Sequence, residues 1–293
     1  MAVCAGIVLP LARRRLRLPP AASVAAVAAA PLGLTVAAAR SRKRDTALYV
    51  LQMWAFIVIH ELPYDDPTAL EQRVRVEYPI AWDEVLGLGV QPTVRLQRIL
   101  GRAGRATALD HALVYVHWAW FFQPHLAAAW ILWRHPATFG RTAALMAAAF
   151  DLGAIVYYVV PTAPPWWAAE HGRLEGVRRI MAEVGKRFWG RFWQPLYDFL
   201  GGNPVAAMPS LHFATSVMAA HVLSETGTAA GAAGWAYAAS LGFALVYLGE
   251  HYLVDLLAGL ALTEGVVLAA PRVAPALRPL SSLVQELEAR ARS

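Results

Sequence analysis

The chain has 293 residues, 58% of them hydrophobic and only 16% charged, with a mean hydropathy of +0.42. Soluble domains run at about 45–50% apolar and about 25% charged, so this composition excludes a soluble globular protein and describes an integral membrane one. The single Cys4 excludes an intramolecular disulfide and a Cys-rich zinc site, and the net charge of +6 is scattered over many short segments rather than gathered into a nucleic-acid footprint.

A spanning helix needs about 20 mostly apolar residues. In chain order the candidates are a weak Ala-rich stretch at 21–39, then 46–62, 109–133, 142–161, 208–225, 230–249 and 252–270. The opening "MAVCAGIVLPLARRRLRL" has its charges after its apolar run, the reverse of a signal peptide, so no cleaved signal is expected. Pro63 stops the short second candidate. The loops "RSRKR" (40–44) and "RHPATFGR" (134–141) are short and basic, which places them in the cytoplasm. Loops 63–108 and 162–207 and the corner 249–251 then fall on the extracytoplasmic side of a multi-pass cell-membrane protein. "RRRLR" at 13–17 opposes this scheme if the Ala-rich stretch spans, and the first 40 residues stay open. The chain divides into an N-terminal region 1–45, a multi-pass region 46–270 and a cytoplasmic tail 271–293 ending in a short amphipathic helix.

Two stretches of the outer loops have helical periodicity. In "KRFWGRFWQPLYDFL" (186–200), Phe188, Trp189, Phe192, Trp193, Leu196 and Tyr197 recur at helical spacing among Lys186, Arg187 and Arg191. That predicts an amphipathic helix in the headgroup layer, or plain interfacial anchors. "PTVRLQRILGRAGR" (92–105) is a weaker second case.

The chemistry gathers at the ends of two spans. In "VYLGEHYLVDLLAGL" (246–260), His251 and Asp255 are four apart and share a helix face. An Asp that accepts the Nδ1–H of a His leaves Nε2 with a free lone pair, which makes a nucleophile. One such pair alone is also compatible with a structural contact, but ionisable groups beside a spanning segment point to function. In "MPSLH", Pro209 suits the first turn of a helix whose free N–H groups, with the Ser210 hydroxyl, form a site for a phosphate oxygen. His212 lies in that turn, and His251 follows 39 residues later. If the two spans are neighbours, one His attacks phosphorus while the other protonates the leaving oxygen. Asp151, mid-span, is either functional or a polar interhelical contact. "HEL" at 60–62 lacks the second His of a zinc-protease motif, a Ser210–His251 protease dyad leaves His212 and Asp255 unexplained, and no paired-Asp run serves a magnesium-dependent alcohol phosphotransferase. No metal and no cofactor is expected.

"AMPSLHFA" followed by "YLGEHYLVDLLAG" resembles motifs two and three of the type 2 phosphatidic acid phosphatase superfamily. The Leu after Ser, "PTAPPWW" at 161–167 and the His spacing resemble its inositol phosphorylceramide synthase-like branch. The resemblance covers roughly 46–270 and implies an all-α membrane fold with six core spans, with room for one extra N-terminal span before them. It implies His251 as the nucleophile, Asp255 as its orienter, His212 as general acid, and Ser210 and Leu211 at the phosphate. Pro164, Pro165 and Trp166 become candidates for substrate contact.

Two departures bear on substrate. Motif one, "YYVVPTAPPWW", has no Lys or Arg, and Leu245 stands where the phosphatases have an Arg six residues before the nucleophile. A monoester bears close to two charges and a diester one, so the missing cations favour an enzyme that transfers a phosphorylated head group from a membrane lipid to a polar or lipid acceptor. Lys186, Arg187 and Arg191 are the candidates for replacement charge. Lipid-phosphate hydrolysis is the alternative within the family, and a lipid transporter or scaffold the alternative outside it. The sequence leaves the oligomeric state open.

Overall fold

In the computed structural model, residues 1–102, 104–200 and 203–291 are described, with the backbone alone for 197–200, so the side chain of Tyr197 lies outside the described residues. The N-terminal region forms α1 (Ala2–Leu16), α2 (Pro20–Ala37) and α3 (Arg42–Glu61). Short helices α4 (Pro67–Glu71), α5 (Glu77–Leu86) and α6 (Pro92–Leu100) fill the first long loop. Next come α7 (Ala108–Ala119), α8 (Gln123–Arg134) and α9 (Pro136–Val159). The second long loop carries α10 (Pro165–Glu170), α11 (Ile180–Trp189) and α12 (Trp193–Leu200). The chain closes with α13 (Leu211–Ser224), α14 (Thr228–Leu248), α15 (Leu253–Ala276) and α16 (Arg278–Arg290). The fold is all-α, and among the described residues only isolated bridges Arg75–Thr162 and Thr162–Ala206 represent extended pairing.

Among the described residues, five segments are long and apolar enough to cross a membrane: α2, α3 with its following turn to Asp65, α9, α14 and α15. The predicted single span 109–133 is instead two helices of 12 residues each. Between them the amides of Trp120, Phe121 and Phe122 reach back three residues rather than four, which tightens the turn, and Pro124 opens α8 with no N–H to donate. The predicted helix over 186–200 is also divided. Gly190, at φ +54°, ends α11, and a tight turn, Gly190–Phe192, precedes α12. The 92–105 helix stops at Leu100, where Gly101 follows.

The N-terminal basic run meets acidic side chains. Arg13 donates to Glu61 at 3.0 Å and Asp65 at 2.9 Å, and Arg14 reaches Asp65 at 2.7 Å. These two arginines therefore sit at the C-terminal end of α3, paired with its carboxylates. At the other end of α3, Arg44 holds Glu288 of α16 at 2.6 Å, with Arg40 at 3.3 Å.

The centre of the bundle is α13. Its 14 residues rise about 21 Å, less than a bilayer core of about 30 Å, so the irregular segment before it continues the path. Non-helical backbone at that depth requires protein around it. Val205, Ala207 and Ser210 are buried, and Thr162 donates its amide to Val205 and accepts that of Ala207 at 2.8 and 3.1 Å. Three glycines let neighbouring helices close on α13. A methyl at Gly153 of α9 would sit 2.3 Å from Leu211 Cδ2, one at Gly234 of α14 2.8 Å from Ala220 Cα, and one at Gly259 of α15 2.6 Å from the Ser210 carbonyl oxygen. Small residues at such crossings substitute close packing for the hydrophobic drive that lipid lacks. Phe150, Met146, Ala214 and Met218 fill the remaining core between α9 and α13.

The Gly259 contact is against backbone that cannot swing away. Gly259→Ala is expected to cost about 1–3 kcal/mol and to lower the thermal midpoint in detergent. Gly265→Ala, on the same helix, meets nothing within 4 Å and leaves the midpoint unchanged or higher. Equal midpoints for the two variants would contradict this packing.

Candidate active site

The site is built where α14 turns into α15. Gly249 closes α14 in the left-handed region, φ +79°, and a Cβ there would also press on Val177 at 3.0 Å. The amides of Glu250 and His251 both fold back on the Leu245 carbonyl, at 3.0 and 3.2 Å. Asp255 then performs two tasks with one oxygen. Its Oδ2 accepts the Tyr252 amide at 2.9 Å, capping α15, and meets His251 Nδ1 at 3.2 Å. This fixes a proton on Nδ1 and leaves the His251 Nε2 lone pair free of one.

Nε2 faces His212. The His212 Nδ1 to His251 Nε2 distance is 3.2 Å, so His212 is the donor in that bond. His251 is 3% exposed, and burial lowers its pKa to about 3 although a hydrogen bond with the Ala207 backbone acts in the other direction. It is therefore neutral at physiological pH. The His212 ring packs 4.2 Å from Trp120 and 4.9 Å from His117, centroid to centroid. Trp120 is in turn held by Nε1–H donation to Thr215 at 2.9 Å.

Ser210, the candidate phosphate contact, also has a role at the start of α13. Its hydroxyl accepts the Phe213 amide at 3.3 Å as the cap of α13, and its own amide donates to the Asp255 carbonyl at 2.9 Å. Tyr157 Oη accepts the Leu211 amide at 3.1 Å and donates to the Pro209 carbonyl at 2.6 Å. Two of the first-turn donors of α13 are thus taken by protein oxygens; the His212 amide has no partner among the described residues. The start of α15 is filled as well. Asp83 of α5 accepts the amides of Leu253 and Val254 at 2.9 and 2.8 Å. Burial raises the Asp83 carboxyl to about 6 even against these two bonds.

The remaining candidates divide in two groups. Pro164, Pro165 and Trp166 are buried beside the corner, where the Trp166 amide donates to the Gly249 carbonyl at 3.0 Å. The Arg179 guanidinium stacks 3.5 Å over the Trp166 ring and pairs with Glu170 at 3.0 Å. Lys186, Arg187 and Arg191 are exposed. Lys186 lines a polar cavity of 210 Å³ with Glu170, Arg179, Glu183, Trp193 and Gln194, and Arg191 lies over Phe192 at 4.9 Å. No described contact brings any of these three cations to the histidine pair. Leu245 is fully buried against Leu241, Val246 and Leu256, so an apolar contact fills the position of the missing arginine. Asp151 accepts from Gln52 at 2.7 Å, an interhelical contact between α3 and α9 away from the histidines.

Residues that sequence reasoning passed over include Asp83, His117, Trp120, Tyr157 and Glu250. Glu250 is buried next to His251, and desolvation raises its carboxyl to about 7, opposed by Arg179 and reinforced by Glu170. Its adjacency to the nucleophile candidate was the available signal. Tyr157, a hydroxyl on an apolar span just before "PTAPPWW", offered another.

The chain is an all-α membrane protein in which Asp255, His251 and His212 line up at the ends of two packed helices. The chain belongs to the PAP2 superfamily: the family model of that description matches residues 80–269, well over half of the chain. Comparison with curated proteins and with solved structures finds no match. Membership makes the protein an enzyme of the phosphatase or phosphotransferase kind acting on lipid phosphates.

Proposed function

We propose that the protein is a phosphotransferase that moves a phosphorylated head group, of the inositol-phosphate kind, from a membrane lipid to a polar or lipid acceptor through a phosphohistidine on His251. The observation that carries this reading is the continuous chain Asp255 Oδ2–His251–His212, with 3.2 Å at each link. At rest His212 covers the nucleophile, so an entering phosphate has to displace that hydrogen bond first. His251 Nε2 then attacks phosphorus, forming an N–P bond as the P–O bond to the leaving alcohol breaks. His212 gives its proton to that oxygen. Asp255 steadies the imidazolium character that develops on His251. In the second half, the acceptor hydroxyl passes its proton to His212 while its oxygen attacks phosphorus, and the N–P bond breaks.

Charge supports a diester substrate. Apart from the carboxyls of Asp255 and Glu250, the surroundings of the pair are aromatic rings, backbone and apolar side chains, with Leu245 in the core. A dianionic monoester placed there needs more compensation than a monoanionic diester, because each unpaired charge in a low-dielectric site is costly. The purified protein is expected to cleave or transfer from a phosphodiester lipid faster than it hydrolyses phosphatidic acid, and His251→Ala is expected to abolish turnover with the fold kept. Rapid acceptor-independent phosphate release from a lipid monophosphate, with diesters inert, would establish hydrolysis instead. Full function in His251→Ala would favour the transporter or scaffold.

The basic loops at 40–44 and 134–141 support an extracytoplasmic site in the cell membrane. Glu175 is exposed on the loop between α10 and α11. In a Cys4→Ser background, Glu175→Cys is expected to react with an impermeant thiol reagent on intact cells. Labelling only after permeabilisation would invert the topology.

A further inference from the structure

A phosphate ester at His251 brings negative charge to neutral surroundings, so a cation has to meet it from elsewhere. Three extended segments lie side by side next to the histidines. Arg75 donates its amide to the Pro161 carbonyl at 2.8 Å, and its own carbonyl accepts the Ala163 amide at 3.0 Å. Arg75 is paired directly with Thr162, and Thr162 with Ala206; the backbone of the next residue, Ala207, lies near enough to His251 to influence it. Two ladder spacings put the Arg75 backbone about 10 Å from the segment beside His251.

Residues paired in a parallel ladder project to one face, so the Arg75 side chain shares a face with the Thr162 hydroxyl. That hydroxyl meets Tyr78 Oη at 2.8 Å, and Tyr78 also touches Met208 Sδ at 3.1 Å, just before Pro209 and Ser210. The Tyr78 hydroxyl lies within electrostatic reach of both Arg75 and Asp255. The face that carries Arg75 therefore leads toward the buried carboxylate of the site.

The other arginines on these segments are committed. Arg73 donates to the Tyr158 carbonyl, Arg173 pairs with Glu77, Arg178 with Glu183 at 2.5 Å, and Arg179 with Glu170 at 3.0 Å. Arg75 is exposed, and its side chain has no ion-pair or hydrogen-bond partner among the described residues. Its backbone is fixed at both amide and carbonyl while its guanidinium is available. Resting on the phosphotransferase reading above, we infer that Arg75 binds the phosphate anion of the substrate and does the work of the cation that Leu245 and motif one lack. The planar guanidinium suits this task, since it can hold two phosphate oxygens at once.

The test uses the purified full chain in detergent, with a lipid phosphate ester that the wild type turns over and with orthovanadate as a free tetrahedral oxyanion. Arg75→Gln is expected to raise both the lipid KM and the vanadate inhibition constant by about tenfold or more, with Arg75→Lys in between. The thermal midpoint stays at the wild-type value, because the side chain has no protein partner to lose. Values within about twofold of wild type for Arg75→Gln, less than one charged hydrogen bond is worth, would overturn the inference. So would a raised KM with an unchanged vanadate constant, which would place Arg75 against another part of the lipid. Wild-type turnover that survives His251→Ala in the same assay would sink the phosphohistidine reading instead, whatever Arg75 does.

Discussion

The carboxylate of Asp255 is the point on which the two ends of the site depend. Through Oδ2 it caps α15 at the Tyr252 amide and orients His251, and through its backbone carbonyl it holds the Ser210 amide at the head of α13. One residue thus fixes the tautomer of one histidine and the position of the segment that carries the other. The glycine at 259, one turn further along α15, lets that helix approach the Ser210 carbonyl closely enough for the arrangement to exist. Removing the carboxylate would free the His251 ring and uncap α15 while the backbone carbonyl still holds Ser210, so on the reading proposed above Asp255 is a positioning residue for His251.

Around this point the protein spends its helix-end donors on itself. Asp83 fills the start of α15, and Tyr157 and the Ser210 hydroxyl occupy two amides of α13. These bonds make the site rigid, but they leave few donors for an incoming anion. On the reading proposed above, a site this rigid and short of donors favours a substrate that brings little charge, and Arg75 on the extended segments supplies further compensation.

The sequence was most informative where the contacts are local. His251 and Asp255 share a helix face at a spacing of four, and their contact was readable for that reason. The approach of His212 to His251 needed only that α13 and α15 be neighbours. Asp83 was illegible because its partners lie 170 and 171 residues away, with nothing in its own surroundings to mark it. The hydropathy of 109–133 concealed a break, since apolar composition says that a segment is buried but not that it is one helix. Ser at a helix start is compatible with both a phosphate contact and a cap, and the Ser210 hydroxyl caps α13 by accepting the Phe213 amide. Periodicity over 186–200 likewise gave no sign of the turn at Gly190.

The account turns on a covalent bond between His251 and phosphorus. Rapid acid-free quenching of the wild-type enzyme during turnover of a lipid labelled at phosphorus, followed by peptide mapping under alkaline conditions, measures it directly. The account predicts label on the peptide that carries His251, stable to alkali and lost in acid, and absent from His251→Ala. Turnover with no labelled intermediate, or label retained in His251→Ala, would contradict it.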